Sequence, residues 1–380
     1  MGAATVIILH PRPPAAAGPL TAVLVEARDR LVAHHTKLFR RAGAAGVRIM
    51  REPATSFGSA LRGLAAEVGA VPPAPAGLIV LGAGAVPLLG LADARRLVAV
   101  AASGERRALT NNRYSSDVCA VGDARVLRGL PALPGDNALP RWLVERAGVP
   151  VAELPGRDRL ALDLDTPLDL AVLALARSTR PDLRRLASTA HLQVPRLAEV
   201  RAVLADPRRE LLVFGRASSR GLAFLERHGR CRVRFLAEER GLRASSALAR
   251  RPVPHGPARP PRATLGRLLE ARGGPDALAT TVAELADGAI LDSRVLLADR
   301  LGADEARWPS PEDRYASDLL RPEEVRDPWL RALTASAARA GIPILLGGHT
   351  LVGPGLAVLA GGRRAPLEAG GPARGHGGPR

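Results

Sequence analysis

The stretch Leu160–Leu170, LALDLDTPLDL, decides how the first half of this chain is read. Leu160, Leu162 and Leu164 alternate with Ala161, Asp163 and Asp165, which is the period of a β-strand. Thr166-Pro167-Leu168-Asp169 then carries the marks of a helix start. The threonine hydroxyl caps, the proline sits where no N–H is needed, and the aspartate faces the positive end of the helix. The pattern predicts a strand ending where a helix begins, with Asp163 and Asp165 on one side of it. Carboxylates at a strand end are hard ligands, suited to a Mg²⁺ ion that also holds phosphate oxygens. The spacing also fits a plain capped junction with solvated aspartates, and taken alone it favours that plainer form.

Strand and helix patterns alternate on both sides of this stretch. Thr5–Leu9, Val47–Met50, Gly77–Leu81, Arg107–Thr110 and Val118–Val121 read as strands. Glu26–Ala44, Phe57–Val68, Asp93–Ala101 and Asp136–Arg146 read as helices. From Arg177 a helical stretch runs toward Leu204, interrupted at Pro181 and Pro195. A second series follows, with strands at Glu210–Phe214, Cys231–Leu236, Ala289–Leu291 and Ile342–Leu346. Alternation of this kind predicts an α/β fold with two Rossmann-like domains and mainly parallel sheets. The divisions expected are residues 1–180, residues 181–362 with a basic Pro-rich loop at 250–262, and a disordered tail at 363–380.

Composition limits the function classes. The 380 residues are 47% hydrophobic, enough for real cores, yet no apolar run approaches the ~20 residues that span a bilayer. Two widely separated cysteines, Cys119 and Cys231, make no disulfide framework and point to the cytoplasm. The net charge of +17 would ordinarily suggest nucleic acid. Lys37 is the only lysine, however, and much of the excess positive charge lies in two segments that look unfolded, 250–262 and the tail. Aromatic residues are only 3%, too few for base-stacking platforms, which argues against a nucleic-acid partner.

Landmarks in residues 1–180 resemble nucleotidyltransferases of the nucleotide-diphospho-sugar transferase fold. Within that fold the chain resembles the small guanylyltransferases that act on molybdenum cofactor or on 2-phospholactate. The resemblance rests on Asp163–Leu170, a DxDTPxDL-like stretch, and on Gly77–Leu89, GLIVLGAGAVPLL, a strand and loop followed by Pro-Leu. It implies attack of a phosphorylated small molecule on a nucleoside triphosphate, release of pyrophosphate, and Mg²⁺ held by carboxylates at two strand ends. Asp163 and Asp165 would be the catalytic and metal residues, with Gly82 and Gly84 in the nucleotide-binding loop. Two family features are missing. His10-Pro11-Arg12-Pro13-Pro14 stands in place of a glycine-rich phosphate loop, and Gly82-Ala83-Gly84-Ala85 holds no carboxylate. The alternative is a degenerate nucleotide- or metabolite-binding or scaffolding protein.

Two other stretches are candidates in their own right. Asn111–Asp117, NNRYSSD, is dense in hydrogen-bonding side chains. Asn111 and Asn112 suit a base or ribose and Arg113 a phosphate, although the stretch also fits a hairpin turn. Gly347-Gly348-His349 follows an apolar strand, where two glycines allow close approach of a ligand and His349 takes the strand's carboxyl end. A tight turn with an exposed histidine is the plainer reading. Gly215–Ser219, between a strand and a helix, presents Arg216 and Ser218 to an anion or simply caps the helix.

Overall fold

The structure is a computed structural model that describes residues 2–13, 17–51, 56–69, 76–133, 136–238, 262–302 and 304–361. Residues 250–261 of the basic loop and the whole tail 363–380, both expected to be disordered, lie outside the described residues.

The first sheet contains β1 (Ala4–Leu9), β2 (Gly46–Met50), β3 (Gly77–Gly82), β4 (Ala108–Thr110), β5 (Val118–Val121) and β6 (Val151–Glu153). Their order is β2-β1-β3-β5-β4-β6. β5 runs antiparallel to both neighbours, and the other pairings are parallel. Alternation along β1 sends Val6 and Ile8 into one core with Ile79 and Leu81, and Ile7 into another with Leu78 and Val80. The sheet is therefore apolar on both faces, as a doubly covered sheet must be. Helices α1 (Pro19–Arg41) and α3 (Leu91–Ala101) cover one face with Phe39 and Leu97. Helices α2 (Phe57–Gly69) and α4 (Leu139–Glu145) cover the other with Leu61 and Leu143.

The second sheet is all parallel, in the order β10-β9-β7-β8. Its strands are β7 (Glu210–Gly215), β8 (Arg232–Ala237), β9 (Gly288–Asp292) and β10 (Ile344–Gly347). The helices that matter for the site are α5 (Pro167–Leu175), α6 (Pro181–Thr189), α7 (Pro195–Ala205), α8 (Ser219–His228), α9 (Ser293–Leu301), α10 (Pro311–Asp318), α11 (Pro328–Arg339) and α12 (His349–Val352). Pro181 and Pro195, expected to interrupt a helix, each begin one instead, because the first turn has no use for their missing N–H.

The largest core joins the two halves. Leu24 and Leu31 of α1 and Leu164, Leu168 and Val172 pack in one cluster with Leu212 and Phe214 of β7, Ile290 of β9 and Leu345 of β10. α1 is thus shared: Val32 and Phe39 face the first sheet's core, while Leu20, Leu24 and Leu31 face the second's. No helix of the described residues is long and apolar enough to cross a membrane.

The strand expected at Leu160–Leu164 is absent. Arg157–Leu160 forms one helical turn, and the following residues contribute a single antiparallel bridge, Asp163 to Ala85. Leu160, Leu162 and Leu164 are nevertheless buried, so the alternation correctly marks which side chains point inward. The ladder is missing because the segment meets β3 only beyond its end at Gly82, where Leu164 donates to the Gly84 carbonyl at 3.1 Å. The position beside β4 is already taken by β6, a three-residue strand after Pro150 that is too short for a periodic signal.

Candidate functional site

Ligands of open α/β sheets bind beyond the carboxyl ends of strands, where the strand order reverses. In the first sheet that point lies between β1 and β3. The loop after β3 holds Gly82 and Gly84, and at Gly84 a Cβ would lie 2.8 Å from Asp163 Oδ1 and 2.7 Å from the Leu164 carbonyl. Glycine is required there for the loop and the Asp163 segment to meet. Val86, two residues on, is fully buried with φ 45°, a strained conformation for a β-branched side chain. It follows directly on the Ala85–Asp163 bridge.

Asp163 and Asp165 take different environments. Burial, then the charges of Asp165 and Asp117, push the Asp163 carboxyl well above the usual carboxylate range, with Arg28 opposing. The Asp165 side chain is 65% exposed and lies 3.5 Å from Arg28 Nη2. Arg28 is itself oriented by a 2.9 Å bond from Nε to the Leu164 carbonyl. Behind them the expected cap is present. Thr166 Oγ1 accepts from Asp169 N at 3.2 Å, and Asp169 Oδ2 accepts from Thr166 N at 2.7 Å and Asp165 N at 3.1 Å. Burial, aided by Asp165 and Asp318, raises the Asp169 pKa to about 8.

The Asn111–Asp117 loop stands beside this segment at the end of β4 but spends its groups internally. Asn111 is fully buried; it donates to Asp117 Oδ2 (2.6 Å) and the Leu160 carbonyl (2.8 Å) and accepts from Asp117 N and Val118 N. Its hydrogen-bonding capacity is used, so it braces the 160s segment and leaves no group for a base. Asn112 Oδ1 closes a turn by accepting from Tyr114 N, and Arg113 is fastened through its main-chain N–H to Glu153.

The head of α1, the position a phosphate cradle would take, carries a carboxylate from the other half. Glu312 of α10 accepts from Thr21 N at 2.7 Å and Leu20 N at 3.1 Å. Gly18 makes room for it, since a Cβ there would sit 2.4 Å from Glu312 Cδ.

The second sheet reverses its order between β7 and β9, and charged residues gather there. Arg216, just past β7, forks onto Asp292 at the end of β9 (Nε–Oδ2 2.6 Å, Nη2–Oδ1 3.2 Å). Gly215 has φ 120°, and a Cβ on it would fall 2.3 Å from Asp292 Cβ, so only glycine permits the pairing. Arg294 is buried against Asp318, bidentate, and also reaches Ser293 Oγ. Gly347 packs against Leu351 and Leu168, while Gly348 has only Arg294 Nε near its Cβ position, at 4.0 Å. His349 Nδ1 donates to the Arg216 carbonyl at 3.0 Å, and Thr350 Oγ1 donates to the Asp163 carbonyl at 3.4 Å.

The fold therefore brings Gly82, Gly84, Asp163 and Asp165 together with Arg28, and adjoins them to Arg216, Gly347, Gly348 and His349. His349 and Thr350 connect the groups, bonding the Arg216 and Asp163 carbonyls in turn. Arg28, Glu312 and Asp318 escape sequence reading: each lies within a helix, with no motif around it. Asp292-Ser293-Arg294 after an apolar strand carried a usable signal. An apolar cavity of about 310 Å³ between α5, α6 and α7 is lined by Ala171, Leu175, Leu192 and Leu197 and holds none of these charged groups. The charged candidates converge away from that void.

A divalent cation can be tested against this donor set. Among the described residues no three His, Cys, Asp or Glu side chains are grouped as metal ligands. Mg²⁺ commonly uses only one or two carboxylates, completed by water and phosphate. The crowding of negative charge on Asp163 is what a cation would relieve. Asp163 and Asp165 thus fit in number and charge. No protein-family model matches this chain, and no curated protein matches it significantly.

Proposed function

We propose that this protein is nucleotidyltransferase-like, binding a nucleoside triphosphate and a phosphorylated small molecule at the carboxyl ends of its two sheets. Transfer of the nucleotidyl group with loss of pyrophosphate is its proposed reaction, in a cytoplasmic setting. One observation carries the reading: Asp163, Asp165 and Arg28 converge where the first sheet reverses its strand order. Arg28, fixed on the Leu164 carbonyl, presents a guanidinium to phosphate oxygens. Asp163 and Asp165 would hold Mg²⁺, which when bound supplies a Lewis acid to offset charge on the transferred phosphoryl. Gly84 and the Ala85 bridge set the position of Asp163, and the Thr166–Asp169 cap sets that of Asp165.

A second reading, ligand binding without transfer, is favoured by Glu312, whose carboxylate occupies the head of α1 where a triphosphate would be cradled. Both readings meet one experiment. Thermal shift with nucleoside triphosphates, with and without Mg²⁺, should show Mg²⁺-dependent stabilisation of the protein. Asp163→Asn should abolish the Mg²⁺-dependent part. Thr166→Ala should cost roughly 1 kcal/mol of stability yet leave the metal dependence in place. Pyrophosphate release in the presence of a phosphorylated acceptor separates transfer from binding alone. Nucleotide binding that ignores both Mg²⁺ and Asp163→Asn, or no nucleotide binding at all, would sink the proposal.

A further inference from the structure

The second sheet has a reversal point of its own, and its charged residues are built rather than scattered. Strand β7 pairs with β8 on one side and β9 on the other, so the crevice beyond β7 and β9 is a second position of the kind where α/β sheets take ligands. Four residues fit out that crevice. Asp292 is fully buried and clamps Arg216 from Nε and Nη2. The Arg216 side chain remains 38% exposed, so its fork is aimed while part of it stays in contact with solvent. Gly215, at φ 120°, exists where any side chain would collide with Asp292, and therefore serves this clamp. The Gly348 Cβ position is open, with only Arg294 Nε as near as 4.0 Å.

Arg216 does not stand alone. His349 Nδ1 bonds its carbonyl at 3.0 Å while the next residue, Thr350, bonds the Asp163 carbonyl at 3.4 Å, and Arg28 Nη2 lies 3.5 Å from Asp165 on that same segment. Two oriented guanidiniums, one from each half of the chain, thus lie on either side of the seam that His349 and Thr350 close. A single carboxylate of a substrate would use one of them. A phosphomonoester, close to a dianion at neutral pH with three acceptor oxygens, suits both together.

The geometry points to the crevice between β7 and β9 as the seat of a phosphomonoester, read by Arg216 and supported across the seam by Arg28. In the nucleotidyl-transfer reading this is the acceptor's phosphate, and that assignment of role rests on that reading. Binding of the phosphate itself does not, because it requires neither nucleotide nor metal. The second half of the chain then supplies the acceptor subsite, and the seam between the sheets is where the two substrates meet.

Titration calorimetry of the full-length protein with inorganic phosphate, without nucleotide or Mg²⁺, tests this. The wild-type protein should bind, and Arg216→Gln should weaken binding at least about tenfold. Arg28→Gln should weaken it severalfold. Arg208→Gln, at an 87% exposed and distant arginine, should not change it, which controls for general charge loss. Arg216→Gln leaves the buried Asp292 with only backbone donors, a change that endangers folding. Arg216→Lys, which keeps the charge and loses the fork, then decides, with a severalfold loss expected in a protein that melts normally. Phosphate binding equal to wild type in a folded Arg216 variant, or no phosphate binding by wild type, overturns the inference. Mg²⁺-dependent nucleotide binding that survives either result leaves the nucleotide reading standing. Phosphate binding that depends on Arg216 in a protein that ignores nucleotides overturns only that reading.

Discussion

At the scale of single residues, burial decides which ionisable groups act. Asp163 and Asp165 are two positions apart, yet one sits among other carboxylates with a raised pKa and the other is mostly exposed beside Arg28. Asn111, a base-binding candidate by composition, is saturated by its own scaffold. His35 shows the cost of burial without partners. It lies fully inside the core of α1, and neither ring nitrogen makes a hydrogen bond of normal geometry. Burial, with the neighbouring His34 adding to it, pushes its pKa down to about 3. An unfolded histidine titrates near about 6.5. Between these values the unfolded chain binds a proton that the folded chain refuses, so stability is lost as pH falls through that window, by up to about 1.4 kcal/mol per unit. His35→Leu should flatten the pH dependence of urea unfolding between about pH 6 and pH 4 by one proton's worth. A slope identical to wild type would show that another group controls acid stability.

At the scale of elements, α1 is the piece both halves use. Its start has no acidic residue in the first turn and no side-chain cap of its own. Glu312 supplies both the charge and the acceptors from α10. Glu312→Ala should lower stability by roughly 1 kcal/mol, as loss of an N-cap does, read as a shift in the denaturation midpoint. Glu312→Gln keeps an acceptor for the Thr21 N–H and should lose less. If both are neutral, the contact contributes nothing to joining the halves. Arginines act similarly elsewhere as clips between elements. Arg184 donates to the Ala176 and Thr179 carbonyls at the end of α5, and Arg196 donates to the Ala338 and Ala340 carbonyls at the end of α11. Part of the arginine content therefore has structural work at helix ends, where free carbonyls need donors.

At the scale of the whole molecule, two separate sheets share one apolar cluster. Leu24 and Leu31 from α1 and Leu168 and Val172 from α5 lie in the same cluster as the strands of the second sheet. Removing either sheet would expose those leucines, so the halves should not melt independently. Urea unfolding followed by far-ultraviolet circular dichroism and by tryptophan fluorescence is expected to give one coincident transition. Trp142 belongs to the first sheet's layers, and Trp329 packs against the shared core, so the two regions are both reported. Two separated transitions would show that the shared cluster does not couple the halves.

The sequence by itself determined the local pieces. Leu78–Leu81 reads as a strand buried on both faces, Leu211–Phe214 as a strand and Thr166–Asp169 as a helix start, and all three are present, because periodicity and capping act within a few residues. The same local signal misjudged Leu160–Leu164. Alternation records which side chains are buried, whereas a strand also needs a neighbour with free backbone groups, and that neighbour is chosen only on folding. Only the tertiary structure decided that Arg28 stands beside Asp165, that Arg216 is aimed by Asp292, and that Glu312 sits on the head of α1. Those partners lie 76 to 292 residues apart in the chain or, for Arg28, far along it from the segment it orients. No spacing rule reaches that distance, because charges and donors find one another through the packing of the elements that carry them.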